Sequence, residues 1–143
     1  MLNIKAACLA FIGATGSIIT QWMGGFDPLL QALVVFMAVD FITGWLAAAV
    51  FKCSKKTDTG RLSSAAGFRG LVKKGCVLLM IIVAVHLDGL LGTNSLTRDA
   101  IIIAFVLNEL LSILENMGMM GVKLPDALTN ALELLCRYGA KGK

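Results

Sequence analysis

The sequence predicts an all-α fold, a small polytopic membrane helical bundle, and three observations carry that prediction. Hydrophobic residues make up 57% of the 143 positions and charged residues only 15%. Mean hydropathy is +0.82, far from the balance of a water-soluble domain. Four apolar runs, at about 6–23, 29–51, 75–91 and 100–118, approach the roughly 20 residues an α-helix needs to cross the hydrocarbon core. The expected organisation is one membrane domain over 1–143, with four crossings (three being the alternative), a basic loop at 52–74 and an amphipathic tail at 125–143.

The first run, Ala6 to Met23, is uncharged and reaches spanning length if Lys5 snorkels to the interface. It is longer than a signal-peptide apolar region, and no convincing cleavage site follows, so it reads as a retained span. Gly13, Ser17, Thr20, Gln21 and Gly24 fall on one side of such a helix. This small, polar stripe suits close helix packing. Glycine and proline from Gly24 to Pro28 make a turn, and the second span follows from Leu29 to Phe51. Its one acid, Asp40, shares a face with Thr43, Gly44 and Ala47, and Gly44 and Ala48 offer a small-residue packing surface. A carboxylate at that depth must be protonated, paired or wet.

Between the second and third runs lie Lys52, Lys55, Lys56, Arg61, Arg69, Lys73 and Lys74, with Asp58 as the acid among them. Beside apolar spans this cluster marks a cytoplasmic loop held against anionic lipid, with a short helix around Ser64 to Val72 lying at the headgroups. Nucleic acid is not expected as a partner, because the charge run lacks any supporting motif. The third run holds His86 and Asp88 near its far end, about 200° apart on a helix and so not a side-by-side pair. A short polar connection, Gly92 to Asp99, carries little net charge and is expected on the outer side.

The fourth run keeps polar groups inside an apolar segment. Asn108, Glu109, Ser112, Glu115 and Asn116 occupy one arc of about 120°, a stripe able to meet a partner helix or water. After Gly118 and Gly121 the helix should break, and Pro125 should restart it as a surface helix along Leu128, Ala131, Leu132, Leu135 and Tyr138. Counting crossings places both termini and the basic loop inside. The four cysteines, Cys8, Cys53, Cys76 and Cys136, form no CxxC pair and accompany a single histidine. No metal, cofactor or disulfide framework is expected from them.

Four motifs carry a resemblance. VDFITGW at 39–45, SSAAGFRGLVKK at 63–74, HLDGLLG at 86–92 and NELLSILENMGMMGVKLP at 108–125 together resemble the toxin secretion/phage lysis holin family, over about 33–135. The resemblance implies a protein that self-associates into large homo-oligomers in the bacterial inner membrane. There it would open lesions that release a phage endolysin or a secreted toxin, without direct binding to it. The polar positions that match are Asp40, Asp88, Asn108, Glu109, Glu115 and Asn116, and no catalytic residue is implied. Two other classes compete on the residues alone. One is a small ion or proton-coupled channel or transporter using Asp40, Glu109 and Glu115. The other is an intramembrane enzyme with Asp40 and Asp88 as an acid pair, which no nucleophile or metal cluster supports.

Overall fold

The computed structural model describes residues 3–52, 63–128, 130, 131 and 134. Its regular elements are four helices: α1 (Ile4–Trp22), α2 (Pro28–Ala49), α3 (Ser64–Leu91) and α4 (Leu96–Met119). All four are long and apolar enough to cross a membrane, and the protein is a multi-pass membrane protein. Each boundary has a local cause. Asp27 caps α2 by accepting a hydrogen bond from Leu30 N at 2.9 Å, and Pro28 occupies the first helical position, where its missing N–H costs nothing. α3 ends at Gly92, whose left-handed φ of 67° is open to glycine at little cost.

α3 departs from the sequence expectation. The headgroup helix and the third span are one continuous helix of 28 residues, so Arg69, Lys73 and Lys74 are helical and not part of a loop. Single glycines at 67, 70 and 75 weaken a helix by only about 1 kcal/mol each and do not break it. At 1.5 Å per residue α3 is about 42 Å long, more than the roughly 30 Å hydrocarbon core, so its first turns reach the headgroup region. α4, with 24 residues, also reaches spanning length at about 36 Å. The cations Lys55, Lys56 and Arg61 and most of the expected tail lie outside the described residues. Helical backbone does resume at residues 126–128.

α4 packs against both α2 and α3, and α2 touches α3 more sparingly. Met23, Leu30, Leu33, Met37, Ile81 and Ile102 form the buried apolar core of this three-helix unit. No residue of α1 is buried. Gly13 would have nothing within 4 Å of an added Cβ, and Ser17 is exposed. Along the body of α1 the stripe therefore meets no other helix among the described residues, and only its last member, Gly24, approaches α3 and α4, at Val85 and Arg98. On α2, by contrast, Ala48 is buried and Gly44 half-buried.

Candidate functional site

Two polar clusters hold the three-helix unit together, one in the middle of the helices and one at the end where α1 turns into α2. The middle cluster is ionic. Lys74 Nζ donates to Asp40 Oδ2 at 2.9 Å and also to Glu109 Oε2, so one cation from α3 bridges carboxylates on α2 and α4. Asn116 Nδ2 donates to Asp40 Oδ1 at 3.1 Å and to Thr43 Oγ1 at 3.2 Å. Thr43 in turn donates to the Asp40 carbonyl at 3.1 Å. Asp40, Glu109 and Asn116 are all buried. The network meets the requirement set by the bilayer, that intramembrane carboxylates be paired and hydrogen-bonded.

The polar stripe of α4 is divided by this packing. It consists of two pairs seven residues apart, Glu109 with Asn116 and Asn108 with Glu115, rotated about 100° from each other. The first pair points into the unit and joins Lys74 and Asp40, while Asn108 and Glu115 are exposed and Ser112 is half-buried between them. Ile102, Ile113 and Leu114, on the apolar side of the helical wheel, are buried. The contact surface of α4 is thus centred on the edge of the stripe, not on its middle.

The end cluster centres on Arg98, only 3% exposed. Its guanidinium donates to Asp27 Oδ2 at 2.7 Å, Asp99 Oδ1 at 2.9 Å, the Met23 carbonyl at 2.7 Å and the Gly25 carbonyl at 3.3 Å. This clamps the α1–α2 turn to the start of α4. Gly24 completes the fit. Its φ of +85° favours glycine, and an added Cβ would sit 2.9 Å from Arg98 Nε. Asp88 closes the other side, accepting from Thr97 N at 2.9 Å, Arg98 N at 2.8 Å and the Thr93 hydroxyl. It serves as the N-terminal cap of α4, whose own cap residue Ser95 makes no side-chain bond. His86 stands apart from both clusters, exposed, with Nδ1 2.8 Å from the Ile82 carbonyl. Asp40 and Asp88 belong to different clusters and form no acid pair.

Sequence reasoning did not find Lys74 as the partner of Asp40 and Glu109, or Arg98 as a clamp. Arg98 also makes stability depend on pH. Its hydrogen bond and charge hold the Asp27 carboxyl below the ordinary value of 3.8, against the opposing effect of burial. A depressed carboxylate contributes stability above its unfolded value, and that contribution disappears as pH falls through the lower folded value. Thermal melting in detergent should therefore weaken as pH drops below about 3.8, and Asp27→Asn should flatten that part of the pH curve. Among the described residues no three His, Cys, Asp or Glu side chains gather to hold a metal ion.

Between α2, α3 and α4, beside the ionic network, lies an open cleft of about 560 Å³. The model of the bacteriophage holin family matches residues 17–137, most of the chain. The chain belongs to that holin family. Holins permeabilise membranes and are not enzymes. Among its relatives, a probable holin of Bacillus phage phi105 is 32% identical over 114 residues, covering 80% of this chain and 78% of the relative. An uncharacterised protein of Listeria monocytogenes is 40% identical over 117 residues, covering 82% and 78%. A 14.9 kDa protein of Clostridium perfringens is 38% identical over 125 residues, covering 87% and 89%. No solved structure matches the chain. The holin match takes in both polar clusters and α2 to α4 entire, together with the end of α1.

Proposed function

We propose that this holin oligomerises in the bacterial inner membrane and opens lesions that release a cell-wall hydrolase, or a secreted toxin, without binding it. The observation that carries the proposal is the exposed pair on α4, Asn108 and Glu115. An amide and a carboxylate facing lipid are costly, and a second copy or a water-filled opening relieves that cost. Small neighbours on the same face, Ala104 and Gly118, let another helix approach closely. The inward pair has a separate task, holding the protomer together through Lys74 and Asp40. Both termini inside is the orientation that puts Lys52, Arg69, Lys73 and Lys74 toward the cytoplasmic leaflet. Assembly of this kind responds to protein concentration, so opening occurs once a threshold level accumulates.

The test is timed lysis with a co-expressed wall hydrolase. Interhelical polar contacts in membranes contribute about 0.6 kcal/mol on average, so losing both contacts in Asn108→Leu/Glu115→Leu should raise the protein level needed for lysis about five- to tenfold. Accumulation should be normal and cross-linked oligomers fewer. Lysis on the parental schedule would sink the reading. A small ion or proton-coupled channel through Asp40 and Glu109 is the second reading. Lys74, bonded to both carboxylates, blocks that route in the protomer, so the lesion reading is the stronger.

A further inference from the structure

The cleft beside the ionic network has a chemistry that lesion opening does not use. Its walls come from three helices: Phe41 and Trp45 of α2, Gly67 and Gly70 of α3, and Phe105 and Asn108 of α4. Added Cβ atoms at Gly67 and Gly70 would meet nothing within 4 Å, so this wall is open along its length. Arg69 and Lys73 also line the cleft, one helical turn apart on α3. Both are exposed, and neither takes part in an ion pair among the described residues. Lys74 is occupied by Asp40 and Glu109. Three cations against two carboxylates leave the lining with one positive charge in excess. Ser63, which makes no side-chain capping bond, also lines the cleft at the N-terminus of α3, an end of a helix that favours an anion.

The cleft therefore sets cations beside aromatic side chains. With Gly24 near Val85 and Asp40 bonded to Lys74, α2 and α3 run in opposite directions, so Phe41 and Trp45 stand about level with Lys73 and Arg69. Val77 and Phe105 extend the apolar lining away from the start of α3. Its volume is in the range of sites for small organic ligands. A polar anion joined to an apolar chain matches both kinds of lining, and the surrounding bilayer supplies such a molecule. We infer that the cleft binds one anionic phospholipid, its phosphate at Arg69 and Lys73 and an acyl chain between Phe41, Trp45 and Phe105. Occupancy adds contacts between α3 and α2, which otherwise touch sparingly. The cleft shares Asn108 with the face proposed for assembly, whereas its phosphate contacts, Arg69 and Lys73, lie on α3 and outside that face.

Trp45 lines the cleft, whereas Trp22 lies on α1, 61% exposed, so tryptophan quenching distinguishes bound from bulk lipid. The full chain carrying Trp22→Phe is reconstituted in phosphatidylcholine vesicles containing dibromo-phosphatidylglycerol, or dibromo-phosphatidylcholine, at about one lipid in ten. Each Lys or Arg near an anionic headgroup is worth about 1 kcal/mol, so Trp45 quenching by the brominated anionic lipid should exceed that by the zwitterionic one at least about twofold. In Trp45→Phe, the remaining Trp22 should show no preference. Arg69→Gln/Lys73→Gln should abolish the Trp45 preference while leaving quenching by the zwitterionic lipid unchanged, which shows that the cleft persists. Lys55→Gln/Lys56→Gln removes the same two charges from the segment between α2 and α3 and should keep the preference. Equal quenching by the two lipids would overturn the inference. Equal loss in the Lys55/Lys56 variant would overturn it too, by reducing the effect to diffuse attraction. Loss of the preference in excess soluble glycerophosphate would show a phosphate site with no role for the acyl chain, and would likewise overturn it.

Discussion

Lys74→Met should destabilise the folded protomer by about 3–5 kcal/mol, the cost of leaving a buried charge without its partner. The variant strands two carboxylates at once, since the ammonium group bonds both Asp40 and Glu109. Asp40 and Glu109 side chains are each 7% exposed and that of Lys74 15%, so water offers little substitute. Thermal melting in detergent measures the loss. The triple variant Asp40→Asn/Lys74→Met/Glu109→Gln removes all three charges and should recover most of it, because neutral amides of similar shape carry a smaller desolvation cost. Lys74→Met melting within about 1 kcal/mol of the parent would mean that the two carboxylates are solvated and that the network does not hold the helices.

The second large effect is expected at the opposite end of the unit. Arg98→Leu should cost about 2–4 kcal/mol, as it removes a buried cation that donates to two carboxylates and two carbonyls. Arg98→Lys should recover less than half, because an ammonium group lacks the planar fork that reaches Asp27 and the turn carbonyls together. Combined with Lys74→Met, the losses should add to within about 0.5 kcal/mol, since the clusters share no partner. Full recovery by lysine would reduce the clamp to a simple charge contact.

Helical periodicity makes much of this legible from sequence. Four apolar runs give four helices, and 100° per residue puts Asp40 beside Thr43 and divides the charges of α4 into faces. Periodicity is silent on which residue of another helix a face meets. Lys74 comes 34 positions after Asp40, in a run of cations that reads as a solvated loop, because hydropathy loses contrast once glycine and lysine enter a span. Arg98 was hidden for a related reason. A cation beside an acid in a short polar connection looks solvated, and its burial follows from the α1–α2 turn standing against the same end of the unit. Gly24, Gly25 and Asp27 facing a turn with a lone arginine were the available signal. Splitting the α4 stripe into inward and outward pairs needed the position of α2, which the α4 sequence does not contain.

Among the described residues α1 is joined to the rest of the protomer through the turn that follows it, whose carbonyls bond Arg98 and whose Met23 is buried, while none of the helix's own side chains is buried. Inside a single chain, then, the rotational register of this helix is unread: one inserted residue would turn everything before it by about 100° without displacing any core side chain. The same insertion in α2 would turn Asp40 by about 100° relative to the cap at Asp27, away from Lys74. Whatever sensitivity α1 has to phase, as opposed to length and hydropathy, is a record of contacts made outside the described residues of its own chain.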